Sequence, residues 1–259
     1  MSTENTWQEQ ITSERFAGKT VIVTGAGSGI GKATALRVAK EGGTVIAADL
    51  SAERLDELVA ENPSLSFVLV AGDITDEAVV SQIIAAANGT VHALANVAGI
   101  MDKFEPIHEV QDSTWERVFN VNVNSILRLT RAVVPLMLQA GAGSVVNVAS
   151  EAGLRGSAAG VAYTASKHAV IGMTKNSAVM YGKKGLRFNA VAPGAVQTNI
   201  EAPMDSVFAQ QAIGPLMGTL VPGVATAAQL AASITFLLSD DGTNVNGAVL
   251  ASDTGWSAI

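Results

Sequence analysis

Short runs of apolar residues recur along this chain of 259 residues, and a helical pattern follows most of them. The runs at 20–24 and 44–48 show no polar alternation, which predicts strands that are buried on both faces. Buried strands that alternate with helices predict a parallel sheet covered on both sides, a doubly wound α/β fold. Further strands are predicted at 67–70, 91–95, 144–149 and 187–192, and helices at 32–40, 52–61, about 112–139 and 160–182.

The chain shows no low-complexity linker and no block of like charge that would mark a domain boundary. It therefore predicts a single domain over residues 16–259, preceded by a flexible leader at 1–15. The leader lacks the basic start and apolar centre of a signal peptide. Since no run of about 20 apolar residues occurs, no membrane span is expected, and the default expectation is a cytoplasmic protein.

Composition excludes several kinds of site. The chain has no cysteine, which removes thiol nucleophiles, disulfides and thiolate metal ligands. Only three histidines occur, and they are scattered, so no metal site is expected. The net charge of −7 disfavours nucleic acid as a partner, because phosphate contacts require clustered lysine and arginine.

A glycine-rich turn joins the first predicted strand to the first helix. The segment Thr24-Gly25-Ala26-Gly27-Ser28-Gly29-Ile30-Gly31 follows the strand directly. Glycines allow the backbone to turn tightly and to approach a pyrophosphate, which the amino end of the helix attracts. Asp49 ends the second predicted strand, where an acid can accept hydrogen bonds from the ribose hydroxyls of adenosine. Together these features predict a dinucleotide site.

Asp49 also bears on which dinucleotide binds. Its carboxylate would repel the 2′-phosphate of NADP, and neither Ser28 nor Leu50 supplies a cation. We therefore predict NAD rather than NADP; the alternative is that Asp49 only caps the next helix. Asp73 is predicted to end the third strand, where its side chain could contact the adenine amino group; the alternative is helix capping near Asp76.

Tyr163 and Lys167 are four residues apart in a predicted helix, so their side chains lie on one face. A lysine cation beside a phenol favours the phenolate and lowers the pKa of the tyrosine, which makes Tyr163 a usable general acid or base. This spacing is common by chance, but Ser150 upstream supplies a third polar group. In a chain with a dinucleotide site, the pair predicts proton transfer beside a nicotinamide.

The order of these motifs resembles that of the short-chain dehydrogenase/reductase family, over about residues 16–256. The matching motifs are the glycine turn, Asn96-Val97-Ala98-Gly99, Asn122, Ser150, Tyr163 with Lys167, and Pro193-Gly194. Val97 stands where the family has a second asparagine. The resemblance implies a single Rossmann-type domain with about seven parallel strands, a nicotinamide cofactor, and a homotetramer or dimer.

The resemblance also implies a role for each matching residue. Tyr163 would donate a proton to a carbonyl oxygen during reduction, or remove one from an alcohol during oxidation. Lys167 would lower the pKa of Tyr163 and bind the nicotinamide ribose, and Ser150 would hydrogen-bond the substrate oxygen. Asn122 would hold a water that links Lys167 to a proton relay. The implied cofactor contacts are Gly25, Gly27, Ser28, Gly29, Ile30, Gly31, Asp49, Leu50, Asp73, Ile74, Asn96, Ala98, Gly99, Tyr163, Lys167, Pro193, Gly194, Val196 and Thr198.

Residues 199–224 form the expected substrate lid, since specificity in this family lies in loops beyond the strand ends. Its apolar residues are Ile200, Met204, Val207, Phe208, Ile213, Leu216 and Met217. Its only charged residues are Glu201 and Asp205, and a lid without cations is a poor clamp for a phosphate or carboxylate. Glu151 and Arg155 lie near the predicted mouth, where a solvated surface role is favoured over substrate contact.

We therefore predict a NAD-dependent oxidoreductase that transfers hydride between the nicotinamide and a neutral, modest-sized secondary alcohol or ketone, with Tyr163 as general acid/base. The alternative enzyme is a 3-oxoacyl-thioester reductase acting on acyl-carrier-protein or CoA substrates; Asp49 argues against it, because such reductases usually prefer NADP. A further alternative is a protein that is not an enzyme, namely a non-catalytic dinucleotide-binding sensor. The presence of Ser150, Tyr163 and Lys167 argues against it.

Overall fold

The computed structural model describes residues 7–200 and 202–258. Its strands are β1 (Thr20–Thr24), β2 (Thr44–Asp49), β3 (Phe67–Ala71), β4 (Ala93–Asn96), β5 (Gly143–Val148), β6 (Leu186–Pro193), β7 (Val196–Gln197), β8 (Ala225–Thr226) and β9 (Val249–Ser252). Seven of them form one parallel sheet in the order β3-β2-β1-β4-β5-β6-β9, while β7 and β8 pair separately. The predicted doubly wound fold is confirmed.

Helices cover both faces of the sheet, as predicted. They are α1 (Gly29–Lys40), α2 (Ala52–Glu61), α3 (Glu77–Ala86), α4 (Asp112–Phe119), α5 (Ser125–Ala140), α6 (Val161–Tyr181), α7 (Val207–Ala212), α8 (Gly214–Leu220) and α9 (Ala227–Leu238). One apolar cluster joins the sheet to α1, α2 and α9, and another joins it to α3, α5 and α6. Successive residues of β1 alternate between them: Val21 and Val23 belong to the first, Ile22 to the second.

One predicted helix is divided. In place of a continuous helix at about 112–139, a π-helical turn at Asn120–Asn124 separates α4 from α5. Such single wide turns within helices are frequent at functional positions. Here the wide turn holds the buried Asn122, whose side chain contacts the turn after β4.

The seventh strand, β9, has no counterpart among the strands predicted from the apolar runs. It pairs with β6 at the edge of the sheet, and its four residues are half-buried or exposed. A short edge strand that is only partly covered lacks the fully apolar pattern of the central strands. Only the family resemblance implied a sheet of about seven strands.

Residues 1–6 of the predicted leader lie outside the described residues. Closer to β1, Arg15 forms an ion pair of 2.6 Å with the fully buried carboxylate of Glu41, which also accepts the N–H of Thr12 at 3.1 Å. The division of the chain at residue 15 stays a prediction.

The strand order changes direction between β1 and β4. The chain adds β2 and then β3 on one side of β1, and it adds β5, β6 and β9 on the side of β4. At such a point the connections leave in opposite directions, and a crevice opens at the carboxyl ends of the two strands. Within the described part of the chain, we find no helix with the length and apolar character needed to cross a membrane.

Candidate active site

The glycine turn lies between β1 and α1. Gly25 and Gly29 have φ angles of +69° and +51°, a left-handed conformation that glycine adopts without strain. Gly31 leaves no room for a side chain, since a Cβ there would lie 1.9 Å from the carbonyl oxygen of Gly25. The turn therefore forms a backbone cradle at the amino end of α1, where the first N–H groups of a helix have no partners within it.

Asp49 lies at the end of β2 and faces this turn. Its Oδ2 accepts the N–H of Gly27 at 2.9 Å, and its Oδ1 accepts the N–H of Ser51 at 3.0 Å. A Cβ at Gly27 would lie 2.8 Å from Cγ of Asp49, so glycine permits this close approach. The cap of α2 is the Ser51 side chain, which accepts the N–H of Arg54, rather than Asp49.

Asp73 lies two residues beyond the end of β3, not within the strand. Its Oδ1 accepts the N–H of Thr75 at 2.8 Å, which orders the turn. The cap of α3 is Asp76, whose side chain accepts the N–H of Ala78. The capping role is therefore filled by Asp76, and Asp73 faces the cavity described next.

A cavity of about 600 Å³ runs from the glycine turn along the crevice between β1 and β4. The predicted cofactor residues on its wall are Gly25, Ser28, Gly29, Ile30, Gly31, Asp49, Leu50, Asp73, Ile74, Ala98, Gly99 and Thr198. This volume lies within the range of cofactor sites, and side chains at the glycine positions would fill the cradle. The residues present therefore fit a dinucleotide.

The other predicted cofactor residues are not part of this wall. They are Gly27, Asn96, Tyr163, Lys167, Pro193, Gly194 and Val196. Asn96 is buried and donates to Oδ1 of Asn147 at 2.8 Å, so it joins β4 to β5. Gly194 lies close to Asp253, since a Cβ there would be 2.9 Å from the Asp253 Cβ.

The wall also carries three cations that the sequence motifs did not indicate: Arg54, Lys103 and Arg117. Arg54 lies beside the glycine turn, because a Cβ at Gly27 would be 2.8 Å from the Arg54 Cβ. It belongs to the first turn of α2, so a search one helical turn beyond Asp49 could have found it. Lys103 forms an exposed ion pair of 3.3 Å with Asp205 of the lid.

Three predicted catalytic side chains meet beyond the carboxyl end of β5. The hydroxyl of Tyr163 is hydrogen-bonded to Ser150, whose Oγ also accepts the N–H of Ala152 at 3.1 Å. Nζ of Lys167 lies 5.3 Å from the centroid of the Tyr163 ring and donates to the carbonyl oxygen of Val148 at 2.9 Å. This group can present two hydroxyls to one substrate oxygen.

Burial controls the protonation of this group. It raises the pKa of Tyr163 to about 12, although the hydrogen bond with Ser150 acts in the opposite direction. It also lowers the pKa of Lys167 to about 8. The pKa of Tyr163 is therefore raised rather than lowered, because burial outweighs the opposing influences and the Lys167 ammonium is directed at Val148. Near neutral pH, Tyr163 is a phenol that can donate a proton.

Asn122 joins the turn after β4 to α6. Its Nδ2 donates to the carbonyl oxygen of Ile100 at 2.9 Å and to Oγ of Ser166 at 3.2 Å, and its Oδ1 accepts the N–H of Ile100. A Cβ at Gly99 would lie 3.3 Å from this Oδ1 and 3.5 Å from Nζ of Lys167. The structure thus brings Asn122 next to Lys167; the water expected between them stays a prediction.

Asp102 fixes the start of α6, a role that the sequence did not indicate. This buried carboxylate accepts the N–H of Gly160 at 3.1 Å and that of Tyr163 at 2.9 Å, besides that of Phe104 at 3.0 Å. The first N–H groups of a helix need such partners, and a negative charge is favourable there. Because the contact spans 61 residues, no local motif announces it.

The lid packs against Tyr163 through its apolar side chains. The cluster that includes Tyr163 consists of Met101, Phe104, Ala152, Ala158, Ala159, Met204, Ala209, Ile213 and Met217. Phe208 is instead exposed, with its ring edge-on to His108 at 5.3 Å. Glu201 lies outside the described residues. Apolar side chains of the lid therefore cover Tyr163, and their role toward a substrate stays a prediction.

The sequence model of the short chain dehydrogenase family matches residues 19–207. Among curated proteins, the 3β-hydroxysteroid dehydrogenase 2 of Eggerthella lenta is 39% identical over 255 residues, which cover 94% of this chain and 96% of that protein.

Solved structures are similarly close. The crystal structure of levodione reductase aligns with a TM-score of 0.84 and 34% identity, over 94% of this chain and 99% of its own. A protein from Beutenbergia cavernae, described as an NAD(P)-dependent gluconate 5-dehydrogenase and holding NADP at low occupancy, aligns with a TM-score of 0.83 and 33% identity, over 95% and 100% of the two chains.

Proposed function

The chain belongs to the short-chain dehydrogenase/reductase family, and on that premise we propose that it is an NAD-dependent oxidoreductase acting on a neutral secondary alcohol or ketone. The observation that carries this proposal is the hydrogen bond between Tyr163 and Ser150, beside Lys167 and next to the dinucleotide cavity. A nicotinamide dinucleotide, when bound, supplies or accepts the hydride. The glycine turn would hold its pyrophosphate and Asp49 its adenosine ribose.

In the reducing direction, Ser150 holds the carbonyl oxygen of the substrate against the hydroxyl of Tyr163. Tyr163 then gives its proton to that oxygen as negative charge develops on it. The Lys167 ammonium lies behind the ring, where its positive charge stabilises the phenolate that remains. In the oxidising direction the same phenolate removes the proton from the alcohol.

The preference for NAD rests on Asp49. Its carboxylate stands over the glycine turn, and a 2′-phosphate at the adenosine ribose would meet this negative charge. Arg54 on the same wall acts in the opposite direction. We assign the larger influence to Asp49, because it is buried and held by two backbone N–H groups while Arg54 is exposed.

The apolar surroundings of Tyr163 support a neutral substrate with few polar groups. A hydroxyl that is buried without a hydrogen-bond partner costs about 1–3 kcal/mol. A polyhydroxylated substrate would bring several such groups against Met204, Ile213 and Met217. A compact ketone with an apolar body instead gains by burying its surface there.

A second candidate is reduction of a 3-oxoacyl thioester. Lys103 and Arg117 favour it, because they place positive charge on the cavity wall where a phosphopantetheine or CoA phosphate could be bound. Asp49 counts against it, since this reaction usually takes NADP in the family.

The test is the oxidation of NADH and of NADPH by the purified protein with a panel of oxo compounds. The panel contains neutral cyclic ketones, a 3-oxoacyl-CoA and a keto derivative of a sugar acid. We expect the highest kcat/KM with NADH and a neutral cyclic ketone. Turnover of the thioester alone would favour the second candidate, and nicotinamide binding with no turnover would indicate a sensor.

We also propose a homotetramer, or failing that a dimer. Leu127 and Leu138 on α5 and Val179 on α6 are large apolar side chains that are exposed in the single chain. Apolar residues on adjacent helices are typical of a helix-to-helix interface. Light scattering that gives the mass of one chain would contradict this proposal. The cytoplasmic location stays a prediction.

A further inference from the structure

The helix that carries the catalytic tyrosine has no cap of its own. The N-cap residue of α6 is Gly160, which has no side chain to accept the N–H groups that open the helix. Serine, threonine, aspartate and asparagine are the residues preferred at this position. Tyr163, the third residue of the helix, is required for the proposed proton transfer and does not cap it either. The first turn of α6 therefore depends on a partner from elsewhere in the chain.

Asp102 supplies this partner from the loop after β4. Its Oδ2 accepts the N–H of Tyr163 at 2.9 Å, and its Oδ1 accepts the N–H of Gly160 at 3.1 Å. In an ordinary capping box these two bonds come from two side chains of the helix itself, at the N-cap and at the third position. Here one carboxylate makes both bonds, from a position 58 residues before the N-cap.

Gly160 allows the carboxylate to approach this closely. Its φ of −74° and ψ of 177° are open to any residue, so its conformation does not require glycine. A Cβ at this position would however lie 2.5 Å from Oδ2 of Asp102 and 2.7 Å from the backbone nitrogen of Glu105. The carbonyl oxygen of Glu105 in turn accepts the N–H of Val161 at 3.0 Å. The loop and the helix are therefore in direct contact, with no space for a further side chain.

The same carboxylate holds the loop in an unusual conformation. Phe104 has a φ of +61°, a left-handed backbone that is an outlier for a bulky residue. Oδ1 of Asp102 accepts its N–H at 3.0 Å, and its ring is buried in the apolar cluster that includes Tyr163. Such strain persists only where the surrounding structure over-determines the conformation, and it is frequent at active sites. Asp102 therefore fixes the loop as well as the helix.

This loop forms part of the cleft. Met101, Asp102 and Lys103 lie on the wall of the dinucleotide cavity, and Met101 also belongs to the apolar cluster around Tyr163. Lys103 pairs with Asp205 of the lid. A bond between the loop and the first turn of α6 thus sets the place of Tyr163 relative to the cavity wall.

We propose that Asp102 is a positioning residue, which fixes the hydroxyl of Tyr163 relative to the cavity wall by holding the loop at 100–105 and the first turn of α6 together. The inference rests on the proposed function, in which Tyr163 donates the proton. Asp102 takes no part in proton transfer in this scheme and acts through Tyr163. A displacement of about 1 Å can cost on the order of 10²-fold in rate, so the contact should act on kcat.

The first experiment separates positioning from helix capping. Asp102→Ala removes both, so we expect kcat for carbonyl reduction to fall on the order of 10²-fold, with a lower midpoint of thermal unfolding. In the double variant with Gly160→Ser, the new hydroxyl can accept the N–H of Tyr163 and restore a local cap. We expect this variant to regain thermal stability and to keep the low kcat, with an affinity for NADH near that of the wild type. Recovery of kcat together with stability would overturn the inference, because a cap alone would then suffice.

A second variant disturbs the contact from the side of the helix. Gly160→Ala leaves every hydrogen-bonding group in place, but its Cβ displaces the carboxylate of Asp102. We expect a loss of kcat on the same order as that of Asp102→Ala. Gly172→Ala is the matched control in the same helix, because this exposed glycine has open space around it. Equal kcat values of the two glycine variants would contradict the proposal.

Asp76→Ala is the control for the loss of a capping carboxylate as such. Asp76 is exposed and caps α3 by accepting the N–H of Ala78 at 2.8 Å. Its removal should lower the midpoint of thermal unfolding and leave kcat unchanged. A loss of kcat as large as that of Asp102→Ala would show that kcat follows stability in general, and the positioning role would be refuted.

Hydrogen exchange separates this inference from the proposed function, because it needs no turnover. The N–H of Tyr163 lies in the first turn of α6 and has no partner within the helix, so its protection depends on Asp102. By NMR, the amides of Tyr163 and Phe104 should exchange slowly in the wild type and fast in Asp102→Ala. In the double variant with Gly160→Ser, only the amide of Tyr163 should be slow again.

Each result of the exchange experiment decides one of the two questions. Slow exchange in a wild type that reduces no ketone would count against the proposed function alone. Fast exchange of either amide in the wild type, or slow exchange of both in Asp102→Ala, would show that Asp102 does not hold the loop and the helix together.

Discussion

The two halves of the cleft are built in different ways. In the dinucleotide half the decisive atoms belong to the backbone: Gly31 has no space for a side chain, and the N–H of Gly27 meets Asp49. In the catalytic half they belong to side chains from distant segments, such as Asp102, which holds the N–H of Tyr163. Local chain geometry forms the first half, and tertiary packing forms the second.

The two halves also differ in how far their ionisable groups are buried. The dinucleotide half keeps its cation, Arg54, at the exposed wall of the cavity. The catalytic half buries its ionisable groups, so that desolvation raises the pKa of Tyr163 and Glu151 and lowers that of Lys167. Variants in the catalytic half should therefore alter rates and pH dependence, whereas variants in the dinucleotide half should alter binding and cofactor choice.

The largest effect is expected from Tyr163→Phe. The substitution keeps the ring, which packs with the lid, and removes only the hydroxyl that bonds Ser150. General acid catalysis contributes about 10²–10⁴-fold, so we expect kcat to fall about 10³-fold while the affinity for NADH stays the same. Steady-state kinetics together with a fluorescence titration of NADH measure both quantities.

The chain contains one other tyrosine, which serves as the matched control. Tyr181 lies at the far end of α6, where its ring is 5.6 Å from that of Phe188, and Tyr181→Phe should leave kcat unchanged. If Tyr163→Phe and Tyr181→Phe had comparable kcat values, Tyr163 would act only through packing. The catalytic half would then have no proton donor at this position.

In the dinucleotide half, the glycine turn and the facing acid could be predicted from the sequence. The strand, the glycine turn and Asp49 lie within 30 residues of one another, and the steric demands of Gly25 and Gly31 act over a few bonds. Arg54 was not predicted, because the family pattern places a phosphate-binding cation at the position of Ser28 or of Leu50. Arg54 lies in the first turn of α2, and a cation there has no fixed distance in sequence from the glycine turn.

In the catalytic half, the sequence predicted the catalytic side chains but not the residues that hold them in place. Tyr163, Lys167 and Ser150 were predicted from their spacing and the family resemblance, but Asp102 reaches Tyr163 from a position 61 residues away in sequence. The expected surface role of Glu151 was wrong, because its side chain is buried, which its place in the sequence directly after Ser150 did not indicate. Tertiary burial also reversed the expected direction of the Tyr163 pKa.

The second prediction concerns stability in the catalytic half. The pKa of Glu151 rises from its ordinary 4.5 to about 7 on folding, so the native protein binds more protons than the unfolded chain between these values. The free energy of unfolding therefore falls as pH increases from 4.5 to 7, by about 3 kcal/mol for this group. Urea unfolding of the wild type and Glu151→Gln at pH 5 and 7.5 measures the difference. An equal loss in both proteins would assign the pH dependence to other groups.

The third prediction tests the backbone cradle. In Gly31→Ala the new Cβ would overlap the carbonyl oxygen of Gly25, so the turn must shift. We expect a loss of about 2 kcal/mol in stability, with a much weaker affinity for NADH and no new pH dependence. Gly218→Ala is the control, because the space around this exposed glycine of the lid is open. A cradle variant that binds NADH normally would show that the dinucleotide half tolerates side chains.

The smallest expected effect concerns the choice of cofactor. Asp49→Ser removes the charge that would oppose a 2′-phosphate but keeps an oxygen that can accept the N–H of Gly27. With Arg54 left on the wall, we expect the ratio of kcat/KM for NADPH over NADH to rise about tenfold, or about 1.4 kcal/mol.

The second substitution separates the two charges. Adding Arg54→Ala to Asp49→Ser should cancel most of this gain, because the remaining cation near the ribose is then lost. Arg54→Ala alone should change the ratio little while Asp49 is present. If Asp49→Ser left the ratio unchanged, the cofactor preference would not be decided at this carboxylate. If the double variant kept the gain, the two halves would not be independent, since Lys103 or Arg117 on the same cavity wall would then be the cation that meets the phosphate.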